Sequence, residues 1–222
     1  MAMATDSPLA RRFAEVRRAL PPTCQLLAVS KGHGAEAIRE AVALGQRSFG
    51  ESRLQDALPK QEQLQDLGPL DWHFIGRLQA NKARAVLRHF GTLHSLDSLP
   101  LAERLQRIAM EEGVSPVVFA QVKLRPDPGK TGFDADSLRQ AWPRLADLAP
   151  LRLRGLMTLA PLGLEPAERL ALFQECAALA RELQLPDLSM GMSGDWREAV
   201  EAGATWIRLG SGLLGERPTP KG

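Results

Sequence analysis

The chain has 222 residues, 44% of them hydrophobic and 24% charged, with a formal net charge of +2. That length is long for one small domain and short for two, so a single α/β barrel or an open α/β sheet is the size that fits. The near-neutral balance carries no basic block of the kind that binds nucleic acid, no apolar run is long enough to span a bilayer, and residues 1–8 lack the apolar core of a signal peptide.

Ser7-Pro8 followed by Leu9, Phe13, Val16 and Leu20 gives a helix start and a helical stripe, stopped by Pro21-Pro22. The apolar run Leu26-Leu27-Ala28-Val29-Ser30 ends abruptly at Lys31 and is followed by Gly32-His33-Gly34, which predicts a buried strand over 26–31. Helix over 35–44 stops at Gly45, and Arg47-Ser48-Phe49-Gly50 is a second short strand with Glu51-Ser52 at its end. Leu54, Leu58, Gln61 and Leu64 mark the next helix, 71–76 a third strand, and 81–90 a helix. A fourth strand over 92–96 leads through Asp97 or Ser98, as N-cap, into a helix reaching Met110. The valine-rich stretch 116–124 is the clearest strand. A Pro/Gly loop over 125–132 leads to a helix around Leu138 and Leu145, a sixth strand over 151–159 and a long helix over 165–183. Strand over 188–192, helix over 195–202 and strand over 205–209 complete the series.

Strand and helix thus alternate eight times after one leading helix. That rhythm specifies parallel strands with right-handed crossovers, and the length suits a (β/α)8 TIM barrel with short loops. An open doubly wound sheet is the alternative, but no Gly-x-Gly-x-x-Gly follows the first strand. One domain over 1–222 is expected, with 1–8 and 217–222 frayed. Cys24 and Cys176 match no metal spacing and read as reduced core thiols of a cytoplasmic protein. The four histidines also lack ligand spacing, so no metal site is expected.

A barrel carries its functional site at the C-terminal ends of its strands, often with a phosphate site after strands seven and eight. After strand seven, Ser193-Gly194 stands where a helix begins, so unpaired N–H groups and the helix dipole favour an anion. After strand eight, the Gly210-Ser211-Gly212 backbone can approach a phosphate closely. A serine N-cap and a glycine turn are the plain alternatives for each loop alone; both loops together favour phosphate. Closure of the barrel places strand eight beside strand one, which puts Lys31 roughly 5–10 Å from that site. A pyridoxal phosphate spans such a distance, with its aldehyde at the lysine. A lysine at the rim of a core can lose part of its solvation, which frees the amine as a nucleophile; the plain alternative is a strand-end lysine in water. Arg208 shares the inward parity of Gly210. An inward arginine needs a partner, either the cofactor's ring nitrogen or a strand-end carboxylate such as Glu51. His73 and His94 read as strand-core residues, and Lys130-Thr131-Gly132 as a solvated loop.

The segments Ala28-Val29-Ser30-Lys31, Phe49-Gly50-Glu51, His73-Phe74-Ile75-Gly76, Leu78-Gln79, Asn81-Lys82, His94-Ser95-Leu96-Asp97, Gly155-Leu156-Met157, the run from Leu188 to Ser193 and the run from Ile207 to Ser211 occur in this order along nearly the whole chain. Together they resemble the pyridoxal phosphate homeostasis protein family. The resemblance implies the fold of the N-terminal domain of bacterial alanine racemase and a Schiff base between pyridoxal 5'-phosphate and Lys31. It implies phosphate contacts from Ser193, Gly194, Gly210 and Ser211, and Arg208 facing the pyridine nitrogen. The family usually carries asparagine after Gly-Glu on the second strand; the shorter Ser52 stands here as a candidate cofactor contact.

Racemisation on this cofactor needs a base on the face opposite the lysine. The racemases of this fold use a tyrosine from the second domain of a partner chain, whereas this sequence has no tyrosine and is too short for that domain. An arginine at the ring nitrogen also disfavours its protonation and weakens the ring as an electron sink. The expectation is therefore a monomeric carrier, with no catalytic residues, that supplies the cofactor to pyridoxal-phosphate-dependent apo-enzymes. The alternatives are a racemase or related enzyme, and a sugar-phosphate enzyme forming a substrate Schiff base on Lys31.

Overall fold

The computed structural model describes residues 7–216. Along them run α1 (Pro8–Ala19), β1 (Gln25–Val29), α2 (Ala35–Ala43), β2 (Ser48–Glu51), α3 (Leu54–Gln63), β3 (Asp71–Phe74), α4 (Ala83–His89), β4 (Thr92–Leu96) and α5 (Leu99–Glu112). They continue with β5 (Val117–Gln121), α6 (Ala135–Leu145), β6 (Arg152–Met157), α7 (Pro166–Glu182), β7 (Asp187–Ser189), α8 (Trp196–Glu201), β8 (Trp206–Leu209) and α9 (Ser211–Leu214). All the strands are parallel, and β8 pairs with β1 to close the barrel, as the alternation of elements predicts.

The expected frayed ends over 1–6 and 217–222 lie outside the described residues. Ser7 and Pro8 correct that expectation: the Ala10 N–H donates to Ser7 Oγ (3.0 Å) and Pro8 occupies the first turn, so the helix holds them. Several strands end earlier than the apolar runs suggest. The first stops at Val29, because the His33 N–H turns back to the Ser30 carbonyl (3.0 Å). Lys31 therefore stands in the turn after β1 rather than on the strand. The seventh stops at Ser189, just before Gly191, whose φ of +91° a strand does not use. The fourth helix starts at Ala83, after a 3-10 turn over Ala80–Lys82. The short α9 over the Gly210-Ser211-Gly212 loop has no apolar period long enough to be read in sequence.

Two compartments follow from strand alternation. Outward positions such as Leu26, Ala28, Phe49, Phe74 and Ile207 pack with Ile38, Val86, Leu105, Leu138 and Phe173 of the surrounding helices. Inward positions mix Leu27, Phe119 and Met157 with His73, His94, Ser189 and Arg208, all buried. His94 stacks on Phe119 with ring centroids 4.4 Å apart, and His73 lies 4.8 Å from Trp206.

One ion pair is sealed between barrel and helices. Lys60 of α3 donates to Glu51 Oε1 (2.6 Å) and to the Ser30 carbonyl (2.9 Å), and the Ser30 hydroxyl donates to the same carboxylate oxygen (2.7 Å). Lys60 is 8% exposed and Glu51 fully buried. The buried face of α3 is Ala57 and Lys60, running on to Leu64 of the expected stripe, with Leu54 partly buried against the core.

Lys60→Met should leave the Glu51 charge buried without its partner and cost about 3–5 kcal/mol in urea unfolding; adding Glu51→Gln should recover part of the loss. Gly155 offers a second measurement. A Cβ there would sit 2.1 Å from the Asp187 carbonyl oxygen, whereas one on Gly91 meets nothing within 4 Å. Gly155→Ala should therefore destabilise the fold by about 1–3 kcal/mol or more, and Gly91→Ala by no more than about 0.5 kcal/mol.

Candidate functional site

The pairing of β1 with β8 aligns Leu27 with Arg208 and Ala28 with Leu209. Val29 and Gly210 thus emerge side by side at the C-terminal mouth, and a Cβ on Gly210 would lie 3.6 Å from the Val29 carbonyl oxygen. Lys31, half-buried, follows two residues beyond Val29 on that rim.

The loops after β7 and β8 meet. The Gly212 N–H donates to Ser193 Oγ (3.2 Å), and a Cβ on Gly212 would come within 2.9 Å of that oxygen. Ser193, Gly194, Ser211 and Gly212 are all exposed, so their donors can meet a ligand from solvent. The structure brings these four together with Gly210. Beneath them, Asp195 accepts from the Met192 N–H (2.5 Å) and Arg169 donates to the Gly194 carbonyl (2.7 Å). Burial pushes the Asp195 carboxyl up, against the pull of that N–H and of the Arg208 and Arg169 charges. Beside the junction lies a cavity of about 180 Å³ lined by Arg12, Ser193, Arg197 and Gly212 among others. Arg12 also donates to the Leu213 carbonyl (2.6 Å), at the far end of α9. Exposed N–H groups, a hydroxyl and the Arg12 guanidinium at one junction suit a phosphate monoester, while Arg197 pairs with Glu15 (3.7 Å) in the same cavity.

Arg208 is 4% exposed, inside the barrel. Its Nη1 donates to Ser189 Oγ (2.7 Å) and its Nη2 to the Thr158 carbonyl (2.9 Å). Burial lowers its pKa to about 10, offset in part by Asp195, so it remains a cation at neutral pH. Glu51, the strand-end carboxylate considered as its partner, is instead bound by Lys60 and Ser30. A buried cation held by two neutral acceptors retains N–H capacity for a further acceptor.

Ser52 follows β2, on the other side of β1 from the glycine-serine loops. It lines a cavity of about 820 Å³ with Arg53, Phe74, Gly76, Gln79 and Lys82 among others. Gly76 is required there, since a Cβ on it would sit 2.0 Å from the Ser52 carbonyl oxygen. Lys60, Arg12, Asp195 and Arg169 are the residues that sequence reasoning missed. A lysine three positions after Ala57 and four before Leu64 on one helix face was the signal for Lys60; the others meet the site only through the fold.

Cys24 and Cys176 are free and buried, and burial pushes their thiols up to about 11 and about 12. Among the described residues no group of His, Cys, Asp and Glu is placed to hold a metal ion, and no helix is long and apolar enough to cross a membrane.

Residues 7–218 match the family described as "Alanine racemase, N-terminal domain". The pyridoxal phosphate homeostasis protein of Synechocystis sp. is 46% identical over 211 residues, spanning 92% of this chain and 97% of that protein. Its namesake in Pseudomonas aeruginosa is 45% identical over 202 residues, 89% of this chain and 86% of that one. The solved structures of PipY from Synechococcus elongatus, without and with PLP bound, are 54% and 53% identical, with TM-scores of 0.91 and 0.90 over 93% of this chain and 100% of theirs. Likeness of this extent, on the same closed barrel, means that the chain belongs to the pyridoxal phosphate homeostasis protein family.

Proposed function

We propose that this chain binds pyridoxal 5'-phosphate, holds it as a Schiff base on Lys31 and supplies it to pyridoxal-phosphate-dependent apo-enzymes without turning over amino acids itself. The observation that carries the reading is the junction of Ser193 and Gly212, next to the end of β1 that bears Lys31. The phosphate would be held by Ser193, Gly194, Gly210 and Ser211, with Arg12 and Arg197 close by. The ring nitrogen would face Arg208, and Ser52 is the candidate contact on the side of β2. The PLP-bound relative PipY, 53% identical along the whole barrel, supports a cofactor of this kind. What the cofactor supplies when bound is an electrophilic carbonyl and an electron-withdrawing ring.

The chain's own residues favour holding over turnover. The Arg208 guanidinium stays charged, and a cation at the ring nitrogen disfavours a second proton there. The sequence contains no tyrosine to serve as a base on the opposite face. Free, buried thiols suit a reducing compartment, so we place the protein in the cytoplasm, as a single-barrel monomer.

Borohydride treatment of the loaded protein, followed by peptide mapping, should find the reduced cofactor on Lys31, and Lys31→Ala should lose both the adduct and the imine absorption band while remaining folded. An adduct on another lysine overturns the assignment. Incubation with single amino-acid enantiomers in deuterium oxide should give no rapid α-proton exchange; exchange lost in Lys31→Ala would restore the racemase reading.

Ser193→Ala should weaken binding of pyridoxal phosphate by about ten- to a hundredfold, the scale of one hydrogen bond to a charged group. Pyridoxal, which lacks the phosphate, should bind far more weakly to the wild type and should barely respond to this substitution. Equal binding of the two ligands would move the anion site elsewhere.

A further inference from the structure

Five polar side chains stand in single file through the barrel interior. Asp71 contacts His73 Nε2 (2.6 Å), His73 Nδ1 contacts His94 Nε2 (2.8 Å), His94 Nδ1 contacts Ser189 Oγ (2.7 Å), and Ser189 Oγ accepts from Arg208 Nη1 (2.7 Å). The file crosses β3, β4, β7 and β8. Its two ends differ in surroundings. The Asp71 side chain is 47% exposed. It opens into a cavity of about 520 Å³ at the N-terminal mouth, lined by Gln25, Arg152, Arg154, Asp187 and Trp206 among others. Arg208 lies sealed beneath the candidate site.

The two ends constrain the protons in between. Arginine only donates, so Ser189 Oγ accepts from Arg208 and its own O–H is available to His94 Nδ1. An ionised carboxylate only accepts, so His73 Nε2 carries its proton towards Asp71. Burial raises the Asp71 carboxyl, but its hydrogen bonds from His73 and Ser48 outweigh that and hold it low, so it is ionised at neutral pH. With a single proton on His73, its Nδ1 accepts, which places the His94 proton on Nε2 and leaves His94 Nδ1 as the acceptor that the Ser189 hydroxyl needs. Burial, with the Arg208 charge nearby, keeps His94 neutral. With one proton on each ring the reverse direction fails, because it would set a bare His73 nitrogen against the carboxylate. With neutral rings each bond points the same way, from Arg208 to Asp71, and each polarises the next.

We propose that Ser189, His94, His73 and Asp71 are positioning residues that fix the guanidinium plane of Arg208 and aim its remaining N–H at a ring nitrogen, so that the far mouth of the barrel sets the site's preference for a pyridine ring. The proposal rests on the reading that Arg208 faces that nitrogen. Thr158 holds the second guanidinium nitrogen through its carbonyl (2.9 Å), so loss of Ser189 frees one side of the plane rather than releasing the group.

The test compares pyridoxal phosphate with its deaza analogue, in which the ring nitrogen is a C–H. Both keep the aldehyde and the phosphate, so the ratio of their dissociation constants isolates the nitrogen contact. The wild type should prefer pyridoxal phosphate by about ten- to a hundredfold. Ser189→Ala should shrink that ratio by about tenfold, and Ser189→Thr, which keeps the hydroxyl, should restore most of it. Asp71→Asn keeps an acceptor for His73 and removes only the charge; it should shrink the ratio by about two- to fivefold. Asp71 is at the barrel's other mouth, so a thermal melt close to wild type is expected and folding does not confound the reading. An unchanged ratio in either Ser189→Ala or Asp71→Asn overturns the relay, as does an equal loss for both ligands. A wild type that does not distinguish the ligands overturns instead the placement of Arg208 at the nitrogen.

Discussion

The register of one strand pair controls the rest of this molecule. Leu27 of β1 lies against Arg208 of β8. Because side chains alternate along a strand, a slip of one residue would turn Arg208 into the helix layer and Ile207 into the barrel. It would also separate the Val29 and Gly210 ends, which now leave the sheet together. The apolar outward residues Leu26, Ala28, Ile207 and Leu209, packed under the helices, make that slip costly. The hydrophobic layer outside the barrel therefore holds the polar arrangement inside it.

The chain buries two cations in different ways. Lys60 lies outside the barrel with a carboxylate, Glu51, and its charge is spent on that pair. Arg208 lies inside and is met by a hydroxyl and a carbonyl. A buried pair is a finished structure; its removal is destabilising, yet it offers nothing to a ligand. A buried cation held only by neutral acceptors is unfinished in the electrostatic sense, and an incoming acceptor improves it. The Lys60 pair also has a local consequence. By gripping the Ser30 carbonyl and hydroxyl through Lys60 and Glu51, it fixes the residue next to Lys31.

The fold was legible because β and α periods alternate cleanly and glycines or prolines punctuate them. The apolar run at 26–31 reads as strand to Lys31, whereas β1 ends at Val29; composition marks burial, and the turn is set by a hydrogen bond from His33 that no pattern reveals. The glycine-serine loops were legible because barrel chemistry gathers at the ends of strands seven and eight. Arg208 was legible by parity alone. The partners of these residues were not. Arg12 arrives from α1, Arg169 from α7 and Lys60 from α3, each far in sequence from what it touches. The histidines were rightly read as core residues, yet their connection to Ser189 and Arg208 depends on which strands face each other across a closed barrel.

Exposure distinguishes holding a cofactor from using it. Enzymes that stabilise carbanions exclude water from the reacting centre and hold it closed during turnover. Here the loops proposed to hold the phosphate are open to solvent at Ser193, Gly194, Ser211 and Gly212, while the group proposed to hold the ring, Arg208, is sealed. Such a site would fix the ring from inside the barrel and meet the phosphate at its rim, with half-buried Lys31 on that same rim. A rigid, charged contact at the ring gives affinity without lowering the barrier to proton abstraction. On the proposed reading, an accessible phosphate end would give a route for release that does not require the barrel to open. The division between a fixed interior and an open rim is consistent with the proposed carrier, which would have to retain a reactive aldehyde and then part with it.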